Sequence, residues 1–193
     1  MNSINRSYNF AIEKLANNKL YPSWMSIQSF LLHCRLVIDD AIILSKGKHR
    51  KEISIAAWLH DLGRIKSGED HVKYSLVFAD ELFKKTRLSA KSKRIILDCI
   101  KNHGSSGKPK TIIGVYIQAA DKLSMFHEQV LLEHAYRFAK ESNSIQELAQ
   151  KLNDKYNKSL IKLKHVKCRK AIGLAKKRME YLKKIYSTWL NKE

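Results

Sequence analysis

Apolar residues recur three and four positions apart along most of this chain, and little interrupts them: 193 residues hold only seven glycines and two prolines. That spacing lines side chains along one face of a helix. So small a supply of turn residues disfavours a fold of many short strands. The expected fold class is all-α. The clearest stretch is 26–45, where Ile27, Phe30, Leu31, Cys34, Val37, Ile38, Ala41 and Ile42 mark a buried face and Gly47 follows as a stop.

The same reading places a first helix over Asn5–Ala16, with a break at Tyr21-Pro22-Ser23. A third helix runs from Lys51 to Leu62 with Gly63 as its stop, and a fourth from His71 to Lys85. A fifth opens at the cap Ser89 and ends near His103-Gly104. Gly104-Ser-Ser-Gly-Lys-Pro-Lys110 is a turn-rich, flexible loop. A long sixth helix is expected from Ile112 to Lys140, and Ser144-Ile-Gln-Glu147 is a capping box opening a seventh. The last helix spans His165–Trp189. Its seam is Cys168, Ile172, Ala175, Met179, Leu182, Tyr186 and Trp189, with Lys167, Lys170, Lys177 and Lys184 on the opposite face. That seam must pack on the chain itself or on a second subunit, which leaves a homodimer open. The expected division is a helical domain over 1–140 and a basic helical extension over 141–193.

Three widely spaced cysteines, Cys34, Cys99 and Cys168, form no CxxC pair and read as reduced thiols of a cytoplasmic protein. Met1–Asn9 is polar and lacks the apolar core of a secretion signal. No apolar run approaches the ~20 residues of a membrane span. The net charge is +19, which suggests anionic partners, although abundant lysine, isoleucine and asparagine equally fit a compositional bias. Residues 151–193 hold 14 Lys and Arg against 3 Asp and Glu.

Within Ile53-Ser-Ile-Ala-Ala-Trp-Leu-His-Asp-Leu-Gly63, the pair His60-Asp61 ends a strongly apolar run. A carboxylate beside an imidazole is costly to bury uncompensated, and a metal cation compensates both. His33, His71, His103 and Asp121 lie on other expected helices. Helical bundles assemble metal sites in this way, from inward side chains on facing helices. Imidazole nitrogen and carboxylate oxygen suit divalent metals: Mn, Fe, Co, Ni, Zn or Mg. A lone buried histidine is more often a satisfied core residue, so the reading rests on the set. His49, His134 and His165 read as surface residues, His127 as facing elsewhere on its helix, and Asp39-Asp40 as a solvated face.

His33 with Val37 and Ala41, then His60-Asp61-Leu62-Gly63-Arg64, then Ala120-Asp121-Lys122-Leu123, resembles the HD-domain superfamily of metal-dependent phosphohydrolases. The resemblance covers about Ser26 to Phe126. It implies an all-helical HD-domain bundle with a metal held by His33, His60, Asp61 and Asp121. His71 and His103 sit where the six-ligand branch carries two further histidines, which implies two ions with Asp61 as the bridging carboxylate. The implied activity is hydrolysis of a phosphate ester or anhydride, in a nucleotide or another small phosphorylated compound, by metal-activated hydroxide. Asp61 and Arg64 would then be catalytic, with Arg64, Lys66, Lys108 and Lys122 as phosphate contacts. The GYP signature is absent, so cyclic di-GMP hydrolysis is not implied.

Two other classes remain open from sequence. The basic C-terminal helices can belong to a nucleic-acid-binding or RNA-processing protein, although aromatics are not interleaved with the basic residues there. A regulatory module that senses a nucleotide without cleaving it is the other, and six intact ligand candidates argue against it.

Overall fold

The computed structural model describes residues 2–17 and 26–190, so the expected break at Tyr21-Pro22-Ser23 lies outside the described residues. The described residues form α-helices and two short 3-10 turns, with no strand among them. The all-α expectation holds. The chain divides into two compact units, Met1–Ala120 and Asp121–Glu193.

The first unit contains α1 (Ser3–Ala16), α2 (Ile27–Leu44), α3 (Arg50–Leu59), α4 (His71–Lys84), α5 (Ala90–Asn102) and most of α6 (Ile112–Leu123). Asn2, Ser26 and Ser89 begin α1, α2 and α5 by accepting backbone N–H groups on their side-chain oxygens. Helix α3 is the centre: Ile53 through Leu59 are all buried, and it packs on α1, α2, α4 and α5. Each large apolar side chain buried there contributes about 1.5–3 kcal/mol. Trp58 meets the Tyr8 ring edge-on at 5.0 Å, which fastens α1 to α3.

Helix α2 leads into a turn in which Gly47 takes a left-handed φ of 79° and donates its N–H to Ile42 O at 2.9 Å. Helix α3 ends at Leu59, three residues short of the expected Leu62, and the chain continues as a 3-10 turn over Leu62–Ile65. Asp40, expected on a solvated face, is buried. The loop after α5 is pinned rather than flexible. The Asp98 carboxylate accepts from Lys110 N (3.0 Å), Thr111 N (2.8 Å), Thr111 Oγ1 (2.6 Å) and Asn102 Nδ2 (2.8 Å). Gln118 Nε2 donates to the Gly104 and Gly107 carbonyls.

The second unit holds the end of α6, a 3-10 turn (Ser124–Phe126), α7 (Glu128–Ala139), α8 (Ile145–Lys164) and α9 (Arg169–Leu190). The single helix expected over Ile112–Lys140 is therefore two. His127 is extended (φ −88°, ψ 145°), and Ser124 Oγ donates back to Asp121 O at 2.8 Å. Helix α8 packs on α7 and α9 around Phe126, Leu131, Leu152, Tyr156 and Leu163. The Ser144 cap forms as expected, with Ser144 Oγ accepting Glu147 N, while Glu147 Oε2 reaches back to Asn143 N, one residue before the cap, at 2.8 Å. On the α9 seam Cys168, Ala175, Met179 and Leu182 are buried, and the Tyr186 and Trp189 side chains lie outside the described residues. His134, expected at the surface, is buried beside Phe138 and Tyr156, and burial pushes its pKa down to about 4.

All three cysteines are buried and none is in a disulfide. Among the described residues no helix is long and apolar enough to cross a membrane.

Desolvation raises the Asp98 pKa, but the Thr111, Lys110 and Asn102 hydrogen bonds outweigh it and the net shift is downward. Its stabilising effect is full above the ordinary carboxylate range and is lost as pH falls through the depressed folded value. Asp98→Asn is expected to cost about 2 kcal/mol near neutral pH, the scale of hydrogen bonds to a charged group. Denaturant unfolding of both proteins across the acid range checks this: the gap between them should shrink as pH falls.

Candidate metal centre

Three imidazoles of the first unit are aimed by the same local device. His60 Nδ1 lies 2.8 Å from Ala57 O, His71 Nδ1 3.0 Å from Gly68 O, and His103 Nδ1 2.8 Å from Ile100 O. Each partner is the carbonyl three residues earlier. A carbonyl only accepts, so each Nδ1 carries the proton and each Nε2 presents a lone pair. His60 and His103 are the residues at which α3 and α5 end, and His71 is the first of α4. The last carbonyls of a helix are unused within it, and His60 and His103 take Ala57 O and Ile100 O, whereas His71 takes a carbonyl of the loop before α4.

The lone pairs converge. His71 Nε2 and His103 Nε2 lie 3.4 Å apart, and His33 Nε2 lies 3.1 Å from His60 Nε2. Asp61 sits between the two pairs. Its Oδ1 is 3.3 Å from His103 Nε2 and 3.4 Å from His71 Nε2, while its Oδ2 is 3.8 Å from His60 Nε2 and 3.9 Å from His33 Nε2. Arg64 donates Nε–H to Oδ2 at 2.8 Å. The buried Oδ1 has no hydrogen-bond partner.

Two neutral acceptor nitrogens facing a bare carboxylate oxygen repel one another unless a cation or a proton lies among them. Protonation is the poorer answer at His71, whose pKa is lowered by burial and by Arg64. Burial alone would raise the Asp61 pKa; positive charge shared with His60 and His103, together with the Arg64 guanidinium, holds it well below the usual carboxylate range. The carboxylate is thus charged and buried, with one oxygen toward each histidine pair. Asp61, His71 and His103 each offer a ligand atom within 4.8 Å of the others, and this donor set fits a divalent cation. The second hydrogen bond of each ring is the support that metal-binding histidines characteristically carry.

The His-Asp corner needs a close chain crossing. Gly63 N donates to Ser75 Oγ at 2.9 Å, and Ser75 Oγ donates to His60 O at 2.9 Å. A Cβ on Gly63 would stand 2.0 Å from His71 O and 2.6 Å from Ser75 N. Gly63 is thus required by contact with α4 and does not serve as the helix stop expected of it. Ser75 was missed in sequence. Its signal is a small polar residue four positions after His71, on the face of α4 that turns inward.

The remaining candidates are placed as follows. Asp121 lies in α6, as the first residue of the second unit, and its carboxylate pairs with Lys122. Lys66 and Lys108 have exposed side chains; Lys66 follows the 3-10 turn, and the Lys108 N–H meets Asn102 Oδ1 at 3.3 Å.

Residues 30–125 match the HD domain, and the chain belongs to that family. No curated protein and no solved structure matches it.

Gly63→Ala is expected to destabilise the fold by about 1–3 kcal/mol, the range for overpacking a tight contact. Denaturant titration measures the loss. The substitution should also weaken divalent-metal uptake, since α4 carries His71.

Proposed function

We propose that this chain is a metal-dependent phosphohydrolase acting on a nucleotide or another small phosphorylated compound. The observation that carries the reading is Asp61, a buried carboxylate with one oxygen toward His71 and His103 and the other toward His33 and His60. We assign His71 and His103 to one ion, His33 and His60 to a second, and Asp61 to both. Asp121 joins the second set on sequence alone, as the aspartate that closes the family pattern. When bound, divalent ions supply a water of lowered pKa and offset charge on phosphoryl oxygens.

The chain's own groups support this chemistry. The Nδ1 hydrogen bonds fix the His60, His71 and His103 rings before any ligand arrives, so little reorganisation is required there. Asp61 holds Arg64 by its Nε–H, which sets the guanidinium beside the centre. A guanidinium presents a fixed fork of donors matched to phosphate oxygens, and Arg64 is proposed as a phosphate contact. Lys66, Lys108 and Lys122 are proposed as further phosphate contacts from their positions near Arg64, His103 and Asp121. Asp61 and Arg64 are the proposed catalytic residues.

The test combines metal content by mass spectrometry with a panel of phosphate esters and nucleotides assayed under Mn, Co, Ni, Mg and Fe(II). Asp61→Asn and His60→Ala should lower turnover by about 100-fold or more, since even the outer partners of metal ligands reach that scale. His103→Ala should lose one ion while the other stays bound. A well-folded protein that takes up no divalent metal would overturn the assignment. Arg64→Lys, which keeps charge and loses the fork, should raise KM more than it changes metal content.

A further inference from the structure

Helix α9 carries seven Lys and Arg residues and a single acid, Glu180. Their placement is ordered. Lys170, Lys177 and Lys184 recur every seven residues, about 10.5 Å apart on an α-helix. Steps of 100° per residue set this row opposite the buried seam of Cys168, Ala175, Met179 and Leu182. All three lysines are exposed. A second row, Arg169, Lys176 and Lys183, runs alongside and is exposed too.

One aromatic stands in the first row. Tyr181 lies four residues after Lys177 and three before Lys184, so it shares their face, and it is 55% exposed. Its hydroxyl reaches Glu128 Oε2 at 3.5 Å, which ties the ring by its far end. The ring borders an open cavity of about 480 Å³ that Phe126, His127, Gln129, Lys177 and Arg178 also line. The cavity lies wholly within the second unit. Sequence alone gave no interleaving of aromatic and basic residues; on the folded helix Lys177, Tyr181 and Lys184 do interleave.

We propose that this face of α9 binds single-stranded nucleic acid, with phosphates on the lysine row and a base against Tyr181 at the cavity. A row spacing of 10.5 Å spans about three nucleotides at ~3.4 Å per stacked phosphate. Glu128 would repel a phosphate at the cavity but can accept from a ring N–H of a base, such as the N3–H of uracil, which places the base there and the backbone on the lysines. Stacking on an aromatic ring is tolerant of sequence, because every base has a π-face. The site lies outside the histidine cluster, and binding here does not depend on the proposed hydrolysis.

Fluorescence anisotropy of a labelled oligouridylate with the full chain, across a salt series, tests this. The pair Lys177→Gln with Lys184→Gln should flatten the plot of log affinity against log salt by about 1.4, two contacts at ~0.7 each. Tyr181→Ala should weaken binding about tenfold while leaving that slope unchanged, and Tyr181→Phe should restore it. Far-ultraviolet circular dichroism of each variant checks that the helices remain. Equal affinity for a duplex and for the single strand, with Tyr181→Ala silent, would reduce the surface to a general polycation and overturn the proposal. Binding to phosphatidylserine vesicles but not to oligouridylate would overturn it in favour of a membrane surface.

Discussion

The structure around the centre depends on one constraint: a charged carboxylate, Asp61, is buried among imidazoles whose lone pairs point toward it. The protein hydrogen-bonds the far nitrogen of three of those rings and leaves the near nitrogens turned inward. An apolar cluster of the same volume would be simpler to fold. The cluster is held in place by α3, whose fully buried residues Ile53–Leu59 deliver His60 and Asp61 to the middle of the first unit. Four helices pack on α3. The same buried segment that stabilises the unit thus fixes the position of the charge.

Much of this was legible in the chain because titratable residues at the ends of apolar runs stand out against their surroundings, and that contrast survives without coordinates. His60-Asp61 stood out at the end of a buried run, and His33, His71 and His103 stood out by their helical placement. Local turns were less legible. Sequence places the end of α3 at Leu62, just before Gly63, the residue type that most often stops a helix, yet the helix ends at Leu59 and the glycine serves a close crossing. The interruption at Ser124–His127 has neither glycine nor proline to announce it, only a serine hydroxyl turned back on Asp121 O.

Charge misled in a different way. By residue type Asp40 and His134 belong at the surface, yet both are buried. Periodicity would have placed Asp40 with Val37 and Ala41, the apolar face of α2, had it been weighted above polarity. The basic C-terminal helices show the converse. Their sequence is a plain excess of lysine, and only the 3.6-residue turn sorts it into rows with Tyr181 among them.

The hydroxyl of Ser75 accepts from Gly63 and donates to His60 O through a single atom. Few side chains offer both functions at that reach, so the geometry suits serine or threonine at position 75 and glycine alone at position 63. Natural variation across related chains would then be as narrow at these two bystanders as at the histidines. A family signature compiled from invariant columns would mix residues that hold an ion with residues that merely let two backbones touch.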